Sequence, residues 1–389
     1  MSLYVPPVTP RTSYRPQRGR IVLVVLTWIV AVLGAVVAVF FAAQAGDVPG
    51  ATLAILFALF PLPLVLWAYW WLDRVEPEPF RYKCAAFVWG AVVAVAISLA
   101  LEAAAAVWWD VSEEVLTAVV APVVEESAKG VFLVLTLLRA RRIIDGVLDG
   151  LIVSGLVAIG FAAVENLGYY AVSYLGIGEG SQQLAGPGGA TATFVVRGLF
   201  SPFAHPLFTS AIGIAMGLAV GRRSRIVRIL LMLGGLVVSI GLHALWNGSL
   251  VIGGGVGFLL VYLVLAALLV GLGTLAIVLR QGQIATLWKS LSYVASYRGW
   301  LHPAEVPFLV GFARRRQARG YAKVHRGKPA ARAVKEYQRL ATRLGFLHDQ
   351  VMRGKAPRDG IDRVYAVLDA MDEIRPRILL PPALPPGVR

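Results

Sequence analysis

The sequence contains very little cysteine and few charged residues. Cys84 is the single cysteine among 389 residues, so an intramolecular disulfide, a thiol pair and a cysteine-based zinc site are excluded. Asp, Glu, Lys and Arg make up only 15% of the chain, against roughly 25% in a typical soluble domain. The sequence also has no internal repeat, no Gly-rich phosphate loop and no His-Glu-x-x-His motif. These absences exclude P-loop nucleotide binding and a zinc site built on a single helix.

Apolar residues are abundant instead. Hydrophobic residues make up 58% of the chain and the mean hydropathy is +0.70, whereas a soluble domain is typically about 45–50% apolar. Several stretches exceed the roughly 20 apolar residues needed to cross about 30 Å of hydrocarbon. We therefore predict an all-α, polytopic integral membrane protein with about eight transmembrane helices. The predicted spans are Ile21–Ala43, Ala51–Leu72, Cys84–Trp108, Val115–Leu138, Gly146–Val172, Thr193–Val220, Ile226–Leu250 and Val251–Leu279.

The basic residues lie in the tails and connectors between these spans. The formal charge of +15 would suggest nucleic acid in a soluble protein, but this placement indicates topology and no nucleic-acid partner. Alternate connectors carry Lys or Arg and the intervening ones carry none. The positive-inside rule then predicts a plasma-membrane protein with both termini in the cytoplasm. A cleavable signal peptide ending near Ala43-Gln44-Ala45 is the alternative for the first span, and its long apolar run disfavours this.

Composition divides the chain into three regions. Residues 1–20 form a cytoplasmic tail, residues 21–280 the transmembrane region with a motif core at 115–250, and residues 281–389 a basic cytoplasmic region. The last region contains Arg314-Arg315-Arg316 and a helix-like stretch from Ala330 to Leu344. We expect this helical basic tail to contact anionic lipid head groups, because juxtamembrane basic residues gain roughly 1 kcal/mol each near such a surface. A solvated tail with no specific partner is the alternative.

Ionisable residues inside the spans are the first functional candidates, because each costs about 2.5–3.5 kcal/mol to insert. The fourth span contains Pro122-Val123-Val124-Glu125-Glu126-Ser127-Ala128-Lys129, which places both carboxylates near the bilayer centre. Adjacent residues point about 100° apart on a helix, while Lys129 shares a face with either glutamate. One glutamate can therefore pair with Lys129 while the other does chemistry. The alternative is an ion pair with a structural role only.

The next three spans carry polar groups at a matching depth, between the bilayer centre and its outer third. Counted at 1.5 Å per residue from the predicted boundaries, the residues at this depth are Glu125, Glu126, Glu165, His205, His243 and Asn247. Groups on four consecutive helices at one depth can converge on one site. Pro202 and Pro206 are expected to kink the sixth span around His205. Glu102, near the outer end of the third span, is ambiguous and is left out of this set.

Asp145 and Asp149 lie at the start of the fifth span with a spacing of four. Their carboxylates could together bind a cation. Their position at the beginning of a helix favours a capping role.

Together these motifs resemble the PrsW family of membrane proteases, which is related to the CAAX-prenyl endopeptidase and bacteriocin-processing superfamily. The resemblance covers about Arg74 to Leu250. In the CAAX branch a histidine stands where this chain has Glu165, which favours the PrsW branch. The motifs that carry the resemblance are Glu125-Glu126 with Lys129, Phe161 through Glu165-Asn166, His205, and His243 with Asn247. The resemblance implies a peptidase that cuts a membrane-anchored protein, an anti-sigma factor in the founding case, with Lys129, Phe161 and Asn166 as supporting residues.

Two mechanisms remain open for such a peptidase acting on a single-pass membrane substrate. The first, which we favour from the sequence, needs no cofactor. In it Glu126 or Glu125 activates water, and His205, His243 and Asn247 position the water and stabilise the oxyanion. In the second, zinc is bound by residues such as His205, His243, Glu126 and Glu165, and another glutamate is the base.

A proton- or cation-coupled transporter is the alternative from a different functional class, because carboxylates and histidines at the midplane also build ion pathways. Transporters usually show paired repeats and broken helices in both halves. The polar residues here are concentrated in spans four to seven without an inverted repeat. The peptidase is therefore the favoured interpretation.

Overall fold

The computed structural model describes Gly34, residues 46–139, 144–177, 185–251 and 254–354, Ala356 and residues 359–382. Within these residues the chain forms helices and no strand, as the predicted all-α class requires. The helices of eight residues or more are α1 (Val48–Leu59), α2 (Leu62–Leu72), α3 (Phe80–Val88), α4 (Val95–Trp109), α5 (Ala121–Arg139), α6 (Val147–Tyr174), α7 (Pro187–Phe194), α8 (Ala204–Val220), α9 (Arg225–Val251), α10 (Gly254–Tyr293), α11 (Phe312–Met352) and α12 (Gly360–Ile374).

Six helical segments in this part of the chain are long and apolar enough to cross a membrane. They are Val48–Leu72, Phe80–Trp109, Val147–Tyr174, Pro187–Val220, Arg225–Val251 and Gly254–Arg298, and each overlaps a predicted span. Helix α5, in the predicted fourth span, is not among them, because it carries the charged residues Glu125, Glu126 and Lys129. Apart from Gly34, the predicted first span lies outside the described residues. The total of eight spans therefore stays a prediction.

Helix α6 is the centre of the membrane bundle and packs against α1, α3 and α8. It approaches α8 closely because both helices present glycine at the crossing. A Cβ atom on Gly150 would lie 2.1 Å from the carbonyl oxygen of Gly213, and one on Gly213 would lie 2.5 Å from the carbonyl oxygen of Gly150. Small residues are the usual means of bringing two helix backbones together in a bilayer. This crossing sets the rotation of α6 and α8, and so the directions in which their polar side chains point.

The start of α6 confirms the capping interpretation of Asp149. Its Oδ2 accepts hydrogen bonds from the backbone N–H groups of Asp145, at 2.9 Å, and Gly146, at 3.1 Å. The carboxylate thus satisfies amides at the helix start that have no partner within the helix.

Several of the helices around the centre of the bundle are interrupted by wider turns. π-helical segments occur at Trp89–Ala94, Leu116–Val120 and Val195–Phe200, and such insertions are frequent at functional sites. The predicted kink in the sixth span is confirmed, since the helix breaks after Phe200 and resumes at Ala204. The Ser201 hydroxyl donates to the carbonyl of Val196 at 2.7 Å, which satisfies one acceptor near the break.

The region after Arg280 is a folded helical unit with its own core. Helix α10 continues past Arg280 to Tyr293 without a break. Leu291, Leu344 and Val364, from three successive helices, share one buried cluster with Val75 from the connector after α2. Helix α11 bends at Gly327, where φ is 79°, and the predicted stretch from Ala330 to Leu344 forms part of its second half. The shared cluster packs the region after Arg280 against the connector that follows α2.

Candidate active site

Among the described residues of the bundle, Glu126 has the most completely hydrogen-bonded carboxylate. Its side chain is fully buried and accepts hydrogen bonds from four groups on three helices. The donors are Lys129 Nζ at 2.8 Å, His243 Nδ1 at 3.1 Å, Thr209 Oγ1 at 2.8 Å and Ser239 Oγ at 2.6 Å. An ionised carboxylate has about four lone-pair sites, so these four donors occupy nearly all of its accepting capacity. The network therefore holds Glu126 in one orientation.

Glu125, its neighbour in the chain, is bonded much less completely. Its Oε2 accepts from Lys129 Nζ at 3.1 Å and lies 3.9 Å from His243 Nε2. No other hydrogen bond reaches its side chain from the described residues. The structure differs from the sequence expectation that Lys129 would pair with one glutamate and leave the other available, because its ammonium lies within reach of both carboxylates. Lys129 pairs with both glutamates. The other three donors, His243, Thr209 and Ser239, form hydrogen bonds with Glu126.

Lys129 has no solvent exposure and its ammonium lies in the middle of the polar cluster. Besides the two glutamates, Nζ contacts His205 Nδ1 at 3.1 Å. It also lies 3.7 Å from the centre of the Phe161 ring, where the ring face attracts a cation. Two of the three predicted supporting residues, Lys129 and Phe161, therefore contact each other at the centre of the cluster.

His205 connects Lys129 to a third carboxylate, that of Glu165. Its Nε2 lies 2.8 Å from Glu165 Oε2. Arg197 bonds the same oxygen at 2.9 Å, and its Nε donates to Asn166 Oδ1 at 2.8 Å. Because Glu165 accepts at Nε2 and Lys129 donates toward Nδ1, the imidazole is assigned as the neutral Nε2–H tautomer.

Asn247 is the predicted residue that the structure does not bring into direct contact with this cluster. It lies one turn beyond His243 on α9, and its Nδ2 donates to the carbonyl of Thr117 at 3.0 Å. The other predicted catalytic residues converge as the depth argument required. The rings of His205 and His243 are 5.0 Å apart.

A comparison with protein families matches the part of the chain that contains this cluster. The model of the PrsW family, described as intramembrane metalloproteases, matches residues 78–272. This is just over half of the chain and contains every residue of the cluster. The chain belongs to the PrsW family. It is therefore a membrane peptidase, embedded in the lipid bilayer and acting on a membrane protein. Comparisons with curated proteins and with solved structures give no significant match.

The donor set of this PrsW-family site suits a metal ion. Glu125, Glu126, His205 and His243 each offer one ligand atom, and these atoms lie within 4.8 Å of one another. Imidazole nitrogen and carboxylate oxygen are the ligands of catalytic zinc sites. The Lys129 ammonium, which contacts three of the four residues, shows that the cluster accepts a cation at its centre. By composition and by charge the residues fit the metal that the family description implies.

Four polar residues of the site were missed or left aside in the sequence analysis, and Arg197, which bonds Glu165, is one of them. Thr209 lies four residues after His205, and Ser239 lies four residues before His243. The helical period of four could therefore have placed both hydroxyls beside the histidines. Glu102 was set aside as ambiguous, yet its Oε1 is buried without a hydrogen-bond partner among the described residues. It faces the charges of Glu165 and Lys129.

Proposed function

We propose that this PrsW-family peptidase hydrolyses a peptide bond of a single-pass membrane protein at the buried cluster formed by Glu125, Glu126, His205 and His243. The observation that carries the proposal is the convergence of these four side chains within 4.8 Å. They come from three helices and lie inside an apolar bundle, where uncompensated charge is costly. An anti-sigma factor is the substrate type that we infer from the founding case of the family.

We assign metal binding to His205, His243 and Glu126, whose Oε1 would exchange its bond from Lys129 for the metal. Zinc held there would supply an activated water and polarise the carbonyl of the scissile bond. This assignment adopts the zinc alternative of the sequence analysis over the cofactor-free one. Its support is the family description as metalloproteases together with the chemistry of the converging donors.

The residues around these ligands set their orientation. Glu165 accepts from His205 Nε2 at 2.8 Å, so the lone pair of His205 lies on Nδ1, where it faces Lys129 Nζ and would bind a metal ion instead. Arg197 in turn holds Glu165. Carboxylates that bind the second nitrogen of a ligating histidine fix its tautomer and raise its basicity. Thr209 and Ser239 orient Glu126, because both hydroxyls donate to its Oε2.

We assign the general base to Glu125. Glu126 accepts four hydrogen bonds and is locked, whereas Glu125 accepts one, from Lys129. A base must have a free lone pair within reach of the water that it deprotonates. Glu125 would take that proton and pass it to the leaving amine. Asn247 keeps one amide hydrogen beyond its bond to Thr117, and we retain it as a donor to the oxyanion.

We further propose that both termini of the protein face the cytoplasm of the plasma membrane. The support is the alternation of connectors that carry Lys or Arg with connectors that carry neither. Anionic lipid head groups are then the expected neighbours of the basic C-terminal region. With Cys84 replaced, a cysteine at the exposed position Ser296 should be protected from an impermeant thiol reagent in intact cells. Labelling in intact cells would refute this topology.

The test of the catalytic proposal is the cleavage of a single-pass reporter substrate by His205→Ala and His243→Ala. Each should lose activity per folded molecule by at least 100-fold, whereas the control His325→Ala, an exposed histidine in α11, should match the wild type. A strong chelator should inactivate the wild type and added zinc should restore it. If both site variants keep full activity, the site assignment is wrong. If the chelator has no effect, the zinc assignment is wrong.

A further inference from the structure

Lys129 occupies the position among the candidate metal ligands that a metal ion would need. Its Nζ lies 2.8 Å from Glu126 Oε1, 3.1 Å from Glu125 Oε2 and 3.1 Å from His205 Nδ1. Three of the four residues that could hold a metal therefore direct a lone pair at the ammonium. A divalent ion bound by these residues would need the same lone pairs.

We propose that the Lys129 ammonium and the metal ion are alternative occupants of one cage, so that Lys129 must leave the cage when the metal binds. This inference rests on the proposed zinc site. The ammonium acts as a resident cation that keeps the carboxylates and histidines assembled before the metal arrives. Two carboxylates buried side by side without a cation would otherwise repel each other and lose their solvation.

The surroundings of Lys129 favour such a resident cation. The side chain is fully buried, and the ammonium lies against the Phe161 ring at 3.7 Å. A lysine stem has four rotatable methylene groups, and an ammonium binds as a point charge without a fixed planar geometry. Lysine can therefore hold the ligands together in the metal's place and still withdraw, which a rigid bidentate arginine would do less readily.

The alternative is a lysine that stays beside the metal as a permanent counter-ion of the two glutamates. The two possibilities predict different changes in zinc affinity when the ammonium is removed. If the ammonium competes with zinc, its removal tightens zinc binding. If the ammonium stays and orients the ligands, its removal loosens zinc binding or leaves it unchanged.

The experiment measures the zinc affinity of the full-length protein in detergent, by equilibration against a chelator of known affinity and analysis of bound zinc. We expect Lys129→Met to bind zinc at least tenfold more tightly than the wild type. Without zinc, Lys129→Met should unfold at a lower temperature than the wild type, and zinc should raise its unfolding temperature more. Lys83→Met is the matched control, because Lys83 pairs with Asp73 away from the cage, and it should leave zinc affinity unchanged.

Unchanged or weaker zinc binding in Lys129→Met would overturn the exchange while leaving the zinc site intact. If neither the wild type nor the variant binds zinc, the metal part of the proposed function fails and the exchange fails with it. Lys129→Gln, a neutral side chain that can still donate a hydrogen bond to Glu126, provides the same comparison if the methionine variant does not fold. The readout is bound metal rather than turnover, so a loss of proteolysis in either variant does not affect the result.

Discussion

Glu125 and Glu126 are adjacent in the chain but should respond differently to the same substitution. Replacing Glu126 by glutamine removes the charge that faces Lys129 and His243, and it turns one acceptor oxygen into an NH2 group that meets existing donors. Breaking a buried pair typically costs about 3–5 kcal/mol, and four donors are affected here. We therefore expect Glu126→Gln to lower the free energy of unfolding by about 3–5 kcal/mol.

Glu125→Gln removes a single hydrogen bond, the one from Lys129. The ammonium keeps its bond to Glu126, so the expected loss of unfolding free energy is about 1.5–3 kcal/mol, the usual value for one hydrogen bond to a charged group. Activity should show the larger effect. Loss of a general base costs about 10²–10⁴-fold in rate, and the glutamine amide cannot take a proton.

The assay is unfolding of the purified protein by SDS titration in mixed micelles, with reporter cleavage measured per folded molecule in the same samples. Glu113→Gln, an exposed glutamate in the turn before α5, is the control and should change neither quantity. Equal losses of unfolding free energy in Glu125→Gln and Glu126→Gln would refute the claim that Glu126 is the more completely hydrogen-bonded of the two. Full activity of folded Glu125→Gln would refute its role as the base.

Two further predictions concern packing and pH. Gly150→Ala should lower the free energy of unfolding by about 1–3 kcal/mol through overpacking, since its Cβ would lie 2.1 Å from the Gly213 carbonyl oxygen. The control Gly234→Ala places its Cβ in open space and should leave the free energy of unfolding unchanged. Equal losses in both variants would contradict the close crossing of α6 and α8. In the connector between α2 and α3, burial and the neighbouring carboxylates raise the pKa of Glu76 to about 10 and that of Glu78 to about 9. The folded protein then binds protons that the unfolded chain has released, so stability should fall as pH rises from about 5 to 9. Glu76→Gln should reduce that slope in thermal unfolding, and an unchanged slope would contradict the shift.

The depth of each polar residue in the bundle followed from the sequence. Hydropathy marks where a helix crosses the membrane, and a constant rise per residue converts position along the chain into depth. Both quantities are local, so they placed Glu126, Glu165, His205 and His243 at one level without knowledge of the packing. Local chemistry also identified the capping role of Asp149 and the break near Pro202, because each depends only on residues within one or two turns.

The pairing of these residues across helices depended on the tertiary structure. Which carboxylate meets which histidine depends on how each helix is rotated about its axis, and that rotation follows from contacts between distant segments such as Gly150 with Gly213. The structure pairs His243 with Glu126 and His205 with Glu165, and it places the Lys129 ammonium between them. Hydropathy and helical period contain no term for interhelical rotation, so the central position of that ammonium could be decided only by the packed bundle.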